Sequence, residues 1–136
     1  MDLSKKCLGG LKVILEKYPV SAAYVFGSHA NGQTHANSDL DVALRYKKSL
    51  PLNKTLLLAN EITSLFKLPA DLLDLSKAPL PLQFRVYQAG VLVYAENKAQ
   101  EAMERFTALS LYYDYKYYFD RFVKFETDRI LQHGLI

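Results

Sequence analysis

Two short clusters carry side chains that could do chemistry together: Gly27-Ser28 and, after ten intervening residues, Asp39-Leu40-Asp41. Gly27 closes an apolar run and lacks a β-carbon, so a ligand phosphate can come close to the backbone. Ser28 adds an amide and a hydroxyl where a helix could begin, which together make an anion cradle. Taken alone, such a turn is also an ordinary helix cap. Asp39 and Asp41 are two apart in an extended segment, so both carboxylates leave one face, with α-carbons ~6.6 Å apart. Two ionised carboxylates on one face repel, and a divalent cation between them relieves that repulsion; the competing reading is a solvated strand end. The aliphatic Val42-Ala43-Leu44 follows at once, which places the acids at one end of a central strand, facing a cleft. An octahedral magnesium site for phosphoryl chemistry asks for a third acid, and Asp71 opens the next apolar run. Asp74 is its competitor. Three residues apart on a strand, the two point to opposite faces, so only one can join Asp39 and Asp41, and Asp71 is the favoured one.

The elements that must position these residues follow from periodicity. Leu8, Leu11, Leu15 and Tyr18 are spaced as a helix that Pro19 stops. Val20 to Phe26 is a short apolar run bounded by Pro19 and Gly27, as a buried strand would be, and Asp39 to Leu44 is a second strand. Leu52 to Phe66 returns to helical spacing, with Asn53 or Ser49 available as a cap. Ala70 to Leu75 reads as a third strand, Leu80 to Gln88 as a brief helix closed by Gly90, Val91 to Tyr94 as a fourth strand, and Lys98 to about His133 as one long helix. The order implies one layered domain of the α/β (α+β) type spanning 1–136, with 98–133 as a C-terminal helical segment.

The chain has 136 residues, half of them hydrophobic, and a net charge of +3 from scattered basic residues. That suffices for one core and excludes dominant disorder, and no basic arm for nucleic acid is present. The single cysteine, Cys7, can form no internal disulfide. No signal peptide or membrane helix is legible, so a cytoplasmic location without membrane contact is expected. P-loop, dinucleotide and zinc-protease motifs are absent. His29 and His35 flank the first cluster but read as solvated loop histidines; His133 suits the end of the last helix. Lys77 and Arg85 follow the third acid and could neutralise phosphate charge or simply face solvent.

Gly27-Ser28, ten residues and then Asp39-x-Asp41, with Ala30 and Gly32 in a Gly-Ser-x-Ala-x-Gly arrangement, resembles the signature of the DNA polymerase β-type nucleotidyltransferase superfamily. Asn31 stands where many relatives carry a basic residue. The short length, Asp71 on the following strand and the tyrosine-rich tail resemble more narrowly the minimal nucleotidyltransferase (MNT) antitoxins of HEPN/MNT toxin–antitoxin modules. The resemblance implies a small mixed sheet with flanking helices. It also implies an ATP-using enzyme in which Asp39 and Asp41 bridge two Mg2+ ions, Asp71 holds the one nearest the attacking hydroxyl, and Gly27 and Ser28 grip the triphosphate. The acceptor it implies is a tyrosine of a partner HEPN ribonuclease toxin, silenced by AMP. Nucleotide preference, the number of AMP units and self-association stay open.

Two rivals remain: a transferase with a small-molecule acceptor, such as an aminoglycoside, which usually needs a second domain, and a non-catalytic antitoxin that binds by steric cover. The tail bears on the second. Eight aromatic residues fall between Tyr112 and Phe125. At 100° per residue Leu111, Tyr115, Tyr118, Phe122 and Phe125 form one stripe, and Tyr112, Phe119, Val123 and Ile130 a second. One stripe is expected to pack on the sheet and the other to meet a partner protein, the competing reading being that both stripes are core. Asp114 and Asp120 between them oppose a polyanion, so no direct nucleic-acid binding is expected.

Overall fold

A hydrophobic run with both faces covered needs no alternation, and Val20–Phe26 forms such a strand. The structure, a computed structural model, describes residues 5–27 and 39–133. Its elements are α1 (Lys5–Leu15), β1 (Val20–Phe26), β2 (Leu40–Tyr46), α2 (Leu52–Phe66), β3 (Ala70–Asp74) with a 3-10 turn at Leu75–Lys77, α3 (Leu80–Ala89), β4 (Val91–Ala95) and α4 (Lys98–Gln132). The four strands make one mixed sheet in the order β3-β2-β1-β4. β1 runs antiparallel to both neighbours, and α2 is the crossover that lets β3 lie parallel to β2. The expected mixed α+β architecture is what forms.

Alternation along the strands divides the apolar residues between two cores. Val20 and Val25 of β1 with Leu40, Val42 and Leu44 of β2 pack under α1 and α2, against Leu11, Leu15, Leu58 and Ile62. Ala22 and Tyr24 with Ala43 face the other way, against Val86 and Tyr87 of α3 and Ala108 of α4. Asp41 has the parity of Ala43, so the candidate site belongs to the α3/α4 face of the sheet.

One of two details at helix ends differs from expectation. α2 begins after Pro51, and neither Ser49 nor Asn53 caps it; the fixed φ of proline, here −60°, sets the entry instead. Gly90 does close α3, but with an extended φ of −77° rather than a left-handed one. What demands glycine there is space, because a β-carbon would run into the Val86 carbonyl oxygen.

The start of α4 is held by polar contacts that the spacing of apolar residues does not reveal. Asn97 caps the helix, accepting from the Gln100 backbone N–H at 3.0 Å. Glu101 is buried, accepts a hydrogen bond from the Tyr24 hydroxyl at 2.6 Å and pairs with Arg105 at 2.9 Å. Arg45 of β2 pairs with Glu104 at 2.8 Å and donates to the Tyr87 hydroxyl. Burial disfavours the Glu101 carboxylate, yet the hydrogen bonds from Arg105 and Tyr24 outweigh it and hold the group below the usual range. A depressed carboxyl contributes stability that is present above its unfolded value of about 4.3 and is lost as pH falls through the folded value. Glu101→Gln is therefore expected to cost about 1–3 kcal/mol at neutral pH. Thermal melts should show the variant converging on the parent as pH drops below about 4; a gap that persists there would put the loss on shape rather than charge.

The expectation that one aromatic stripe packs on the sheet does not hold. Tyr112 stacks on Phe84 of α3 with ring centroids 4.0 Å apart, and beyond it Tyr115, Tyr118, Phe122 and Phe125 of the first stripe are all exposed, as are Phe119 and Val123 of the second. The reason is length. A 35-residue helix is ~52 Å long, whereas strands of five to seven residues span only ~17–23 Å. Among the described residues no helix is long and apolar enough to cross a membrane.

Candidate active site

Two strands carry the acids on one face of the sheet, and the end of β1 lies beside them. β1 ends at Phe26, whose α-carbon partner is Asp41, and Gly27 follows with φ +75°. That value lies in the left-handed region, which lets the chain turn away from the strand end. A β-carbon at Gly27 would fall on Oδ2 of Asp41 and within 3.3 Å of its Cγ. Glycine is thus required twice, for the turn and for room beside the carboxylate.

On the other side of β2, Asp41 is the direct α-carbon partner of Asp71 in the parallel ladder. Paired residues of adjacent strands share a face about 4.8 Å apart, so both carboxylates leave the α3/α4 side of the sheet. Two hydrogen bonds set this register: the Leu40 N–H donates to the Pro69 carbonyl at 2.8 Å, and the Ala70 N–H donates to the Thr63 hydroxyl of α2 at 3.0 Å. Asp39 lies just before β2 with the parity of Asp41. Asp39 and Asp71 are exposed and Asp41 is half-buried.

Asp74 pairs with Leu44 and has the opposite parity. Its carboxylate accepts from the backbone N–H and the hydroxyl of Ser76 at 3.1 and 2.8 Å, capping the 3-10 turn. Ser28 lies outside the described residues, as do His29 and His35. Lys77 and Arg85 are exposed, and the His133 backbone N–H closes α4 on the Arg129 carbonyl.

The donor set of three carboxylates is hard oxygen, which suits Mg2+ rather than a softer metal. With no β-carbon, Gly27 lets the Asp41 carboxylate lie against the end of β1. Among the described residues no three acidic, histidine or cysteine side chains already converge as a finished metal cage. The backbone register places Asp41 and Asp71 on a shared face. Gly27→Ala should lose about 1–2 kcal/mol from the left-handed backbone alone and displace the Asp41 carboxylate as well. Melting curves alongside Mg-ATP titrations check this; unchanged ATP affinity would mean the space beside Asp41 is not used.

Sequence reasoning did not single out Arg45, Tyr87, Tyr24 and Glu101, which fix α3 and α4 over the same sheet face. One signal was available: Arg45 ends the aliphatic Val42-Ala43-Leu44 on the parity of Asp41, where an unpaired charge would be costly.

The fold and its acid end define a class: a small mixed-sheet domain that presents carboxylates beside a glycine turn, as nucleotidyl-transfer domains do. The family model described as polymerase beta nucleotidyltransferase matches residues 10–99. The chain belongs to that family. It is 32% identical over 62 residues to two proteins of Methanocaldococcus jannaschii, "Putative protein adenylyltransferase MJ1217" and its namesake MJ0126; each match takes in 46% of this chain and 63% of the relative. The chain thus spans less than two thirds of the length of these curated relatives. Among solved structures it is similar to a chain of a toxin–antitoxin complex with AMP-PNP, with TM-score 0.70, 22% identity and coverage of 88% of this chain and 98% of that one. It is also similar to a chain of a complex of tri-AMPylated Shewanella oneidensis HEPN toxin with MNT antitoxin, with TM-score 0.67, 18% identity and coverage of 90% and 98%. At such identities these structures speak for the fold.

Proposed function

We propose that this chain is an ATP-using adenylyltransferase that acts in the cytoplasm as an antitoxin, transferring AMP to a tyrosine of a partner HEPN ribonuclease toxin. The observation that carries the reading is the register of Asp41 opposite Asp71, with Gly27 beside Asp41. Support comes from the family, from relatives named for adenylyl transfer and from neighbours solved as toxin–antitoxin complexes.

Asp39, Asp41 and Asp71 would hold two Mg2+ ions, which when bound supply positive charge to the phosphoryl oxygens of ATP. The chain's own part is positional. Gly27 lets the triphosphate approach the end of β1, and Ser28 follows it in sequence with a backbone N–H and a hydroxyl to offer. Asp71, exposed at the edge of the face, accepts the proton of the incoming tyrosine hydroxyl. The hydroxyl oxygen bonds to the α-phosphorus, the bond to the bridging oxygen breaks, and pyrophosphate leaves with its electron pair.

The test is incubation with Mg-ATP and the candidate HEPN protein, followed by mass spectrometry of the toxin's tyrosines and an RNA-cleavage assay. AMP on tyrosine with loss of cleavage is expected. Neutralisation without AMP transfer would favour the steric antitoxin, and transfer to an aminoglycoside instead would favour a small-molecule acceptor.

A further inference from the structure

At the end of the sheet opposite the acids, where Val20 pairs with Tyr46, a cleft of about 650 Å³ opens between the end of α1, the β2–α2 connection and the first half of α2. This is a size that suits a small organic ligand. Its walls include the ring of Tyr18 and the side chain of Leu57, which is 50% exposed. Three lysines line it against a single acid, Glu61. Glu61 is already committed: Lys17 and the Tyr18 hydroxyl both donate to it, which fixes the tyrosine ring as a wall. Lys48 and Lys54 have no ion-pair partner among the described residues, whereas neighbouring Lys47 is tied to Glu96 at 2.6 Å. Glu61 is the one carboxylate in its lining, so the cleft is electropositive.

We propose that this cleft binds a small phosphorylated molecule carrying a flat ring, its phosphate between Lys48 and Lys54 and its ring against Tyr18 and Leu57. Two free ammonium groups beside an exposed apolar wall match an anion with an apolar body better than either part alone. The seven-residue length of β1 lies between the two sites, so this one is distinct from the acid end and does not depend on AMP transfer.

AMP is the probe, titrated in EDTA into the whole chain carrying Asp41→Asn, with backbone amide shifts followed by NMR. Saturable shifts at Tyr18, Lys48, Lys54 and Leu57, with none at Gly27 or Asp71, are expected. Affinity should weaken about tenfold or more in Lys48→Glu/Lys54→Glu and in Leu57→Asp, and fall with added salt. Inorganic phosphate should bind more weakly than AMP, since it has no ring to place. Thermal melts of both variants separate loss of binding from loss of fold. The proposal is overturned by shifts confined to the acid end, by no saturable shift, or by AMP affinity unchanged in both folded variants.

Discussion

Asp41→Asn should lower AMP transfer by about a hundred- to a thousandfold or more, the scale on which removing one preorganised electrostatic group from a reacting centre is felt. Asp41 sits between its neighbours, flanked by Gly27 just after β1 and opposed by Asp71 on β3, with Asp39 two residues before it. In the proposed mechanism the change removes charge needed beside the phosphates when Mg-ATP is bound. Asp71→Asn should cost transfer comparably, since it removes both a proposed ligand and the proposed proton acceptor. Asp74→Asn is the control: asparagine keeps an oxygen for Ser76, and the position faces away from Asp41, so transfer should stay within about twofold, as for surface substitutions. The measurement is a time course of labelled AMP appearing on the toxin, with melts of each variant. If Asp74→Asn abolishes transfer and Asp71→Asn does not, the third acid has been misassigned and the β2–β3 register no longer explains the site.

The choice between Asp71 and Asp74 shows what spacing can and cannot give. A separation of three residues says that they face opposite ways, but which one faces Asp41 depends on how β3 is aligned with β2. That alignment rests on contacts distant in sequence, the Pro69 carbonyl and the Thr63 hydroxyl. The strands themselves were legible because β1 and β2 are apolar runs cut off by Pro19, Gly27 and polar residues. The helix caps were less so. Ser49 and Asn53 are good capping types, but Pro51 already fixes the backbone where α2 starts. Glu101 was invisible for another reason: in a surface-like pattern of charges nothing marks the one acid that lies under Tyr24. Gly27 was read as room for a phosphate, and the structure adds a nearer demand, the carboxylate of Asp41.

Periodicity also misplaced the tail, and the correction leads to the other large effect. Phe122→Ser/Phe125→Ser should weaken binding of the proposed HEPN partner by about tenfold or more, because truncating an aromatic anchor commonly costs 2 kcal/mol or more, and should leave the melt within about 2 °C. Phe122 and Phe125 are 61% and 65% exposed, so their loss removes little from the folded monomer. Exposed aromatics continue on several sides of α4, from Tyr113 to Phe125, and a contiguous apolar surface of that kind marks an interaction site. Tyr112 behaves in the opposite way. It stacks on Phe84 and touches Tyr113 and Tyr115, so Tyr112→Ser should lower the melting temperature by several degrees and affect the partner only secondarily. Calorimetric titration with the HEPN protein, paired with melts and sedimentation of each variant, separates these cases. A double variant that binds normally would place the partner elsewhere, with the acid end the next surface to test. One that binds normally but no longer self-associates would mean that a second copy of this chain covers the helix. One that melts far below the parent would show that the distal half of α4 folds back onto the domain, and the partner surface would have to be sought on what it then leaves uncovered.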